Sequence, residues 1–252
     1  MSTAVEEAAR EALRARQGAG ARYDAAAAPT RELSWARRGT AYFARLLNEL
    51  PDDALAAPSL VPGWTRAHVI AHVGYNARAL ARLVEWARTG VETPMYASAE
   101  ARAVEIALGA TLPRRALRNL FHHAEVHLNV EWRDLTEPGW QAVVTGQDGA
   151  PLPVRETPWL RAREIWLHAV DLDNGGSFLD LPSDLLDRLL PELVAEAGAE
   201  VTLVTTDRGK RIGAGPEVRG ATPDLARWLA GRGARRLSGD LPEIAGPRDD
   251  YS

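Results

Sequence analysis

Histidine and glutamate side chains in the middle of the chain have the types and the spacing that bind a divalent metal. All six histidines lie between residues 68 and 168, and His72 falls on the apolar stripe of the helix predicted around it. Glu164 and His168 are four residues apart, so on a helix their side chains lie on one face, one turn apart. If the two helices face each other, two imidazoles and one carboxylate bind a cation such as zinc and leave one coordination position open, as in catalytic sites. Asp171 or Asp173, one turn further on, is then expected to bind the second ring nitrogen of His168.

A second row of metal-binding residue types lies on the preceding helix. His123, His127 and Glu131 follow one another at intervals of four residues, and spacing alone does not separate this set from the first. The same helix also carries a competing apolar face, which places the row at its edge; that face consists of Leu120, Ala124, Leu128 and Trp132. Hydrogen-bonded core histidines and solvated Glu–His pairs are the commoner origin of such short patterns.

The chain contains no cysteine. A disulfide scaffold, a thiolate metal ligand and a cysteine nucleophile are therefore excluded, and any thiol chemistry requires a thiol from outside the protein.

Four long segments with apolar residues at helical spacing must position these side chains. They run over 30–50, 65–90, 113–132 and 158–172, and together they predict an antiparallel four-helix bundle. In the second segment Thr65 is a predicted N-cap and Gly90 a predicted C-cap, and Pro113 is expected at the first position of the third helix. A shorter helix is expected over 98–108. Glycines and prolines in 139–153 indicate a connecting loop with a short hairpin.

The pattern changes after Gly176, which divides the chain into three predicted parts. Residues 1–29 form an N-terminal extension with no assigned chemistry, and 30–176 form the bundle. Residues 177–252 form a small α+β domain, with helices over 183–197 and 222–229 and a short β-branched run at 201–205, followed by a turn at 207–209.

Composition is that of an ordinary globular protein and argues against several classes of partner. The 252 residues are 46% hydrophobic and 25% charged with a net charge of −4, which lacks the basic excess expected of a nucleic-acid-binding protein. No apolar run approaches the length of a membrane span, and the first 20 residues contain no apolar signal core. We predict a cytoplasmic protein with no nucleic-acid or membrane partner; the sequence does not indicate its oligomeric state.

Two arginines are candidates for binding a small dicarboxylate substrate. A guanidinium contacts a carboxylate through two parallel hydrogen bonds, which supplies both charge and orientation. Arg102 follows the loop around Pro94, and Arg232 ends a helix beside two glycines in the C-terminal part.

Three segments resemble one protein family. Residues 62–72 (PGWTRAHVIAH) and 163–172 (REIWLHAVDL) resemble the mycothiol-dependent maleylpyruvate isomerases, a group of DinB-like metal-binding bundles, and 220–232 (GATPDLARWLAGR) resembles the C-terminal part of that family. The resemblance implies a DinB-like four-helix bundle followed by a small α+β domain. It also implies a metal triad of His72, Glu164 and His168, with Arg102 and Arg232 as substrate-binding residues.

The resemblance further implies a reaction and its cofactors. Maleylpyruvate would be isomerised from cis to trans, giving fumarylpyruvate in gentisate-type degradation of aromatic compounds. The cofactors would be Zn²⁺ or another divalent metal, and mycothiol or another low-molecular-weight thiol such as glutathione. A metal-stabilised thiolate adds to the double bond, which becomes a single bond, rotates and re-forms as the thiolate leaves. Two alternatives stay open: a metal-dependent thiol S-transferase of the same fold, and a metal-free binding module.

Overall fold

The structure is a computed structural model that describes residues 24–246. The predicted N-terminal extension, up to residue 23, lies outside the described residues. The helices are α1 (Thr30–Glu49), α2 (Arg66–Thr89), α3 (Ala99–Ala110), α4 (Arg114–Asp134), α5 (Glu137–Gln141), α6 (Thr157–Asp171), α7 (Ser183–Ala197) and α8 (Thr222–Leu229). The strands are β1 (Val143–Thr145), β2 (Pro151–Pro153), β3 (Thr202–Thr205), β4 (Arg211–Gly213), β5 (Glu217–Gly220) and β6 (Ser238–Gly239).

The four long helices α1, α2, α4 and α6 form the predicted bundle. Helix α1 packs along α6, α2 packs along α4, and α2 also contacts α6. The first of these contacts is close because α1 carries Gly39 there: a Cβ at this position would lie 2.6 Å from Cγ2 of Ile165. The predicted fold class, a DinB-like helical domain followed by a small α+β region, is thus confirmed.

Helix α2, which carries His72, begins and ends where the sequence predicts. The Thr65 hydroxyl accepts a hydrogen bond from the backbone N–H of His68, and the Thr65 backbone N–H donates to Nδ1 of His68. Gly90 ends the helix in the left-handed conformation, with φ of 75°. Because His68 caps the helix, its side chain has a structural role at the start of α2.

Helix α6, which carries Glu164 and His168, is buried on nearly every side. Its apolar stripe is in the core as predicted, and the opposite side is covered as well. For example, the indole N–H of Trp166 donates to the backbone oxygen of Trp35 on α1 at 3.0 Å. The polar residues of α6 therefore lie in an interior with little access to water, where each needs a partner.

The C-terminal part contains a four-stranded sheet in the order β4-β3-β5-β6. Strand β3 pairs antiparallel with β4 and parallel with β5, and β5 pairs antiparallel with β6. Helix α8 packs against β3 and β5, and α7 contacts α8 and β4. The predicted turn at 207–209 connects β3 to β4, and the hairpin predicted within 139–153 is formed by β1 and β2.

Local details differ from the sequence predictions at two places. Pro113 is the N-cap of α4 and precedes its first helical residue, with φ and ψ of −53° and 140°. The short helix α5 was not predicted; its five residues are too few for a periodic pattern. Within residues 24–246, every helix is too short or too polar to cross a bilayer.

Candidate metal centre

His72, Glu164 and His168 are brought together by the contact between α2 and α6. One potential ligand atom from each of the three lies within 4.8 Å of the other two. Nε2 of His72 is 2.9 Å from Oε2 of Glu164, and Nε2 of His168 is 3.5 Å from the same oxygen. The side chains are only 1–2% exposed. Among residues 24–246 no other set of three His, Cys, Asp or Glu side chains has this geometry.

The donor atoms fit a divalent cation. Oε1 of Glu164 is buried and has no hydrogen-bond partner, an arrangement that costs free energy unless another group satisfies the oxygen. Two imidazoles and one carboxylate form a set that transition metals such as zinc accept, with one position left for a further ligand. The residues that the sequence singled out therefore suit the cation that the resemblance implies.

Hydrogen bonds and burial set the protonation states of Glu164 and His72. Burial raises the pKa of Glu164, but hydrogen bonds from His168 and His72 outweigh it and keep the pKa well below 4.5. Burial and the nearby charge of His168 lower the pKa of His72 below 6.5. Glu164 is therefore an ionised acceptor, and His72 is neutral.

Asp171 contacts the far side of His168. Its Oδ2 lies 2.9 Å from Nδ1 of His168, and its side chain is fully buried. Asp173, the alternative in the sequence, has a side chain that is 61% exposed and lies near Arg66 instead. A carboxylate at Nδ1 fixes the ring so that Nε2 points at the metal position.

Arg232 reaches Asp171 from the segment that follows α8. Its Nε donates to Oδ1 at 3.0 Å and its Nη2 to Oδ2 at 2.6 Å, and its Nη1 donates to the backbone oxygen of Ala230. Burial raises the pKa of Asp171, but the charge of Arg232 and hydrogen bonds from His168 and Arg232 bring it down to about 2. Arg232 is thus joined to the metal centre through Asp171. The substrate contact that the resemblance gives it stays a prediction.

Arg102 reaches the centre from the other side, on α3. Its side chain is buried, and Nη2 lies 3.2 Å from Nδ1 of His72. Its guanidinium carbon is 5.8 Å from the ring centroid of Tyr96. Arg102 therefore contacts a candidate ligand directly, whereas Arg232 reaches His168 through Asp171. Substrate binding by Arg102 also stays a prediction.

The row on α4 does not converge. His123 is exposed, and the side chain of His127 is 53% exposed, with its Nε2 3.6 Å from Glu131. Glu131 accepts instead from Nε of Arg88 at 3.0 Å. As the competing apolar face indicated, the row lies at the edge of α4.

Sequence reasoning missed Arg161, a buried cation beside the centre. It is 1% exposed, and its Nη1 donates to the backbone oxygen of Val73 at 2.8 Å and to Oδ1 of Asn76 at 2.9 Å. Burial lowers its pKa to about 10, while the nearby charge of Glu164 opposes this. Its position three residues before Glu164 on α6 was the available signal, because both side chains then share one helix face.

Trp64 and Tyr96 were also given no role. The Trp64 ring centroid lies 5.4 Å from that of His72, and burial raises the pKa of the Tyr96 hydroxyl to about 12. Trp64 lies in a turn and Tyr96 lies in the loop around Pro94, where helical periodicity gives no orientation.

The proton on His168 makes the stability of the metal-free protein depend on pH. Burial lowers the pKa of His168, but hydrogen bonds to Asp171 and Glu164 raise it from 6.5 to about 9. Because the folded-state pKa exceeds the unfolded one, this stabilisation is fully present below pH 6.5 and is lost as the pH rises through 9. We expect the free energy of unfolding in urea to fall over this interval. His168→Gln lacks the titrating group and should show a flatter profile; equal slopes would contradict the assignment.

Comparison with known proteins identifies relatives along most of the chain. The family model for the mycothiol maleylpyruvate isomerase N-terminal domain matches residues 36–173. A crystal structure of a mycothiol-dependent maleylpyruvate isomerase is 39% identical, with a TM-score of 0.81 over 87% of this chain and 95% of that one. The structure of a histidine-to-alanine mutant of such an isomerase is 38% identical, with the same TM-score and coverage. A search among curated proteins finds no significant match.

Proposed function

Since this chain belongs to the mycothiol maleylpyruvate isomerase family, whose N-terminal domain model matches more than half of it, we propose that it isomerises maleylpyruvate to fumarylpyruvate. The reaction depends on a divalent metal and a low-molecular-weight thiol, and it belongs to gentisate-type degradation of aromatic compounds. The observation that carries the proposal is the convergence of the buried side chains of His72, Glu164 and His168, in which Oε1 of Glu164 has no hydrogen-bond partner.

We assign metal binding to Nε2 of His72, a carboxylate oxygen of Glu164 and Nε2 of His168. When bound, the metal would lower the pKa of the thiol and so supply a thiolate for reversible addition to the cis double bond. The absence of cysteine from the chain agrees with a thiol that comes from outside. Zinc and mycothiol are the first choices, and glutathione is the alternative thiol.

The surrounding residues prepare the site for this chemistry. Asp171 accepts from Nδ1 of His168 and so holds the ring that carries the ligand nitrogen. Burial of the three ligand side chains excludes bulk water and strengthens electrostatic interactions inside the site.

Arg102 and Arg232 are proposed to bind the two carboxylates of the substrate. Both guanidinium groups are largely buried. That of Arg102 contacts His72, and that of Arg232 contacts Asp171. Holding the carboxylates from two sides would fix the double bond relative to the thiol, which is a positioning contribution to catalysis. The cytoplasmic location stays a prediction.

The dependence on thiol concentration tests the proposal. Metal-loaded protein is mixed with maleylpyruvate and with mycothiol at a small fraction of the substrate concentration, and the absorbance of the substrate is followed. An isomerase converts all of the substrate, because the thiol is released in each turnover. Glutathione is tested in a parallel reaction, and metal-stripped protein serves as the control.

Two results would contradict the proposal. Conversion that stops after one equivalent of thiol would indicate an S-transferase, in which the adduct is the product. Equal activity with and without metal would remove His72, Glu164 and His168 from the mechanism.

A further inference from the structure

The two histidines of the candidate metal centre have opposite partners at their Nδ1 atoms. Nδ1 of His168 faces the carboxylate of Asp171 at 2.9 Å, whereas Nδ1 of His72 faces the guanidinium of Arg102 at 3.2 Å. One partner is an acceptor and the other is a donor. The two imidazoles are therefore held in different protonation patterns.

The donor at His72 determines where its proton lies. A guanidinium has N–H donors and no acceptor, so Nδ1 of His72 must accept the hydrogen bond from Arg102. The proton of the neutral ring is then on Nε2, which donates to Oε2 of Glu164 at 2.9 Å. A continuous chain of hydrogen bonds runs from Arg102 through His72 to Glu164.

This arrangement conflicts with ligation by His72. A metal-binding imidazole uses the lone pair of one nitrogen, and its other nitrogen carries a proton that it donates to an acceptor. Asp171 provides that acceptor for His168. At His72 the proton would have to occupy Nδ1, where the N–H groups of Arg102 would face it donor to donor.

We propose that Arg102 competes with the metal for His72. In the metal-free protein Arg102 holds His72 in the tautomer that cannot ligate through Nε2, and metal binding releases the guanidinium from His72. The released group is then available for a substrate carboxylate. The inference rests on the proposed function for its metal site, and it adds that Arg102 opposes metal binding.

The position of Arg102 allows such a change of partner. It lies in the first turn of α3, which begins at the Ser98 cap, and α3 packs mainly on α2. The ring of Tyr96 lies beside the guanidinium, and an aromatic face stabilises a cation that leaves another partner.

The direction in which removing Arg102 changes zinc affinity distinguishes a residue that competes with the metal from one that supports a ligand. Removing a partner that orients a metal ligand lowers metal affinity by about 10–100-fold, and we expect Asp171→Asn to behave in this way. Arg102→Met should instead raise zinc affinity at least about tenfold. In this variant the metal no longer has to break the hydrogen bond from the guanidinium to His72, and the free energy of one such bond to a charged group corresponds to about that factor. Affinities are measured by competition with a chromophoric chelator.

Arg78→Met is the matched control. Arg78 is an exposed arginine on the same helix as His72, stacked near Tyr75, so the variant removes the same charge without touching the site. Its zinc affinity should equal that of the wild type. Unchanged or weaker affinity in Arg102→Met would overturn the inference.

A second measurement needs no variant. In the metal-free wild type, long-range ¹H–¹⁵N spectra of the imidazoles should show His72 with its proton on Nε2, and in the zinc-loaded protein with its proton on Nδ1. A proton on Nδ1 of His72 before zinc is added would overturn the inference while leaving the metal site intact. Failure of the wild type to bind zinc would instead overturn the proposed function, and this inference with it.

Discussion

Glu164→Gln is expected to abolish divalent-metal binding and metal-dependent isomerisation without disrupting the helices. The amide keeps the shape of the side chain and one acceptor for Nε2 of His72, but it removes the charge that a cation requires. Because Glu164 is itself a ligand in the proposed site, affinity should fall by more than the roughly 100-fold upper range for residues that only orient ligands. Metal content after dialysis and chelator competition measure metal binding, the absorbance of maleylpyruvate measures isomerisation, and circular dichroism measures the helix content.

Glu131→Gln is the control for this prediction. Glu131 is the carboxylate of the alternative row on α4 and is also buried, where it pairs with Arg88. Its loss should leave stoichiometric metal binding unchanged. If Glu131→Gln lost the metal and Glu164→Gln retained it, the site would lie on α4 and the assignment to α2 and α6 would be wrong.

Arg232→Met is expected to destabilise the protein strongly. The side chain of Asp171 is fully buried, and Arg232 neutralises it through two hydrogen bonds. Removing one partner of a buried ion pair leaves an uncompensated charge, which costs about 3–5 kcal/mol. For a chain of this size the corresponding fall in Tm is about 10 °C. In the protein that remains folded and metal-loaded, the KM for maleylpyruvate should rise if Arg232 also binds a substrate carboxylate.

Arg236→Met supplies the comparison for Arg232. Arg236 is exposed and four residues away in the same segment, so its replacement removes the same charge from the surface. Its Tm should stay near that of the wild type. A Tm of Arg232→Met equal to that of Arg236→Met would show that Asp171 does not depend on Arg232. Unchanged KM with reduced metal content would remove the substrate contact from Arg232.

Local rules made much of the fold and half of the metal centre predictable. Thr65 and Gly90 mark the ends of α2 because the unpaired groups of a helix end require particular residue types. Glu164 and His168 were predicted to share a face because helical geometry fixes that spacing. Asp171 was one of two candidates for the same reason, and the structure selects it over Asp173.

The other half depended on contacts between distant segments. His72 and Glu164 are 92 residues apart, and the register of α2 against α6 decides whether they meet. No local pattern encodes that register, so helical faces gave this set only as one of two candidates, and the family resemblance favoured it over the row on α4. The contact of Arg102 with Nδ1 of His72 depends on how α3 packs over α2. Arg161 was missed because among 29 arginines a surface position is the default expectation, and its spacing from Glu164 was the sole signal in the sequence.

The salt bridge from Arg232 to Asp171 makes the two structural parts of this chain mutually dependent. The family model ends at residue 173, so it includes the buried carboxylate but not the guanidinium that neutralises it, which the chain supplies 61 residues later. Any recombination that joins this bundle to a different C-terminal module must therefore bring a cation to the same place. Electrostatics therefore constrains which C-terminal part can follow this bundle.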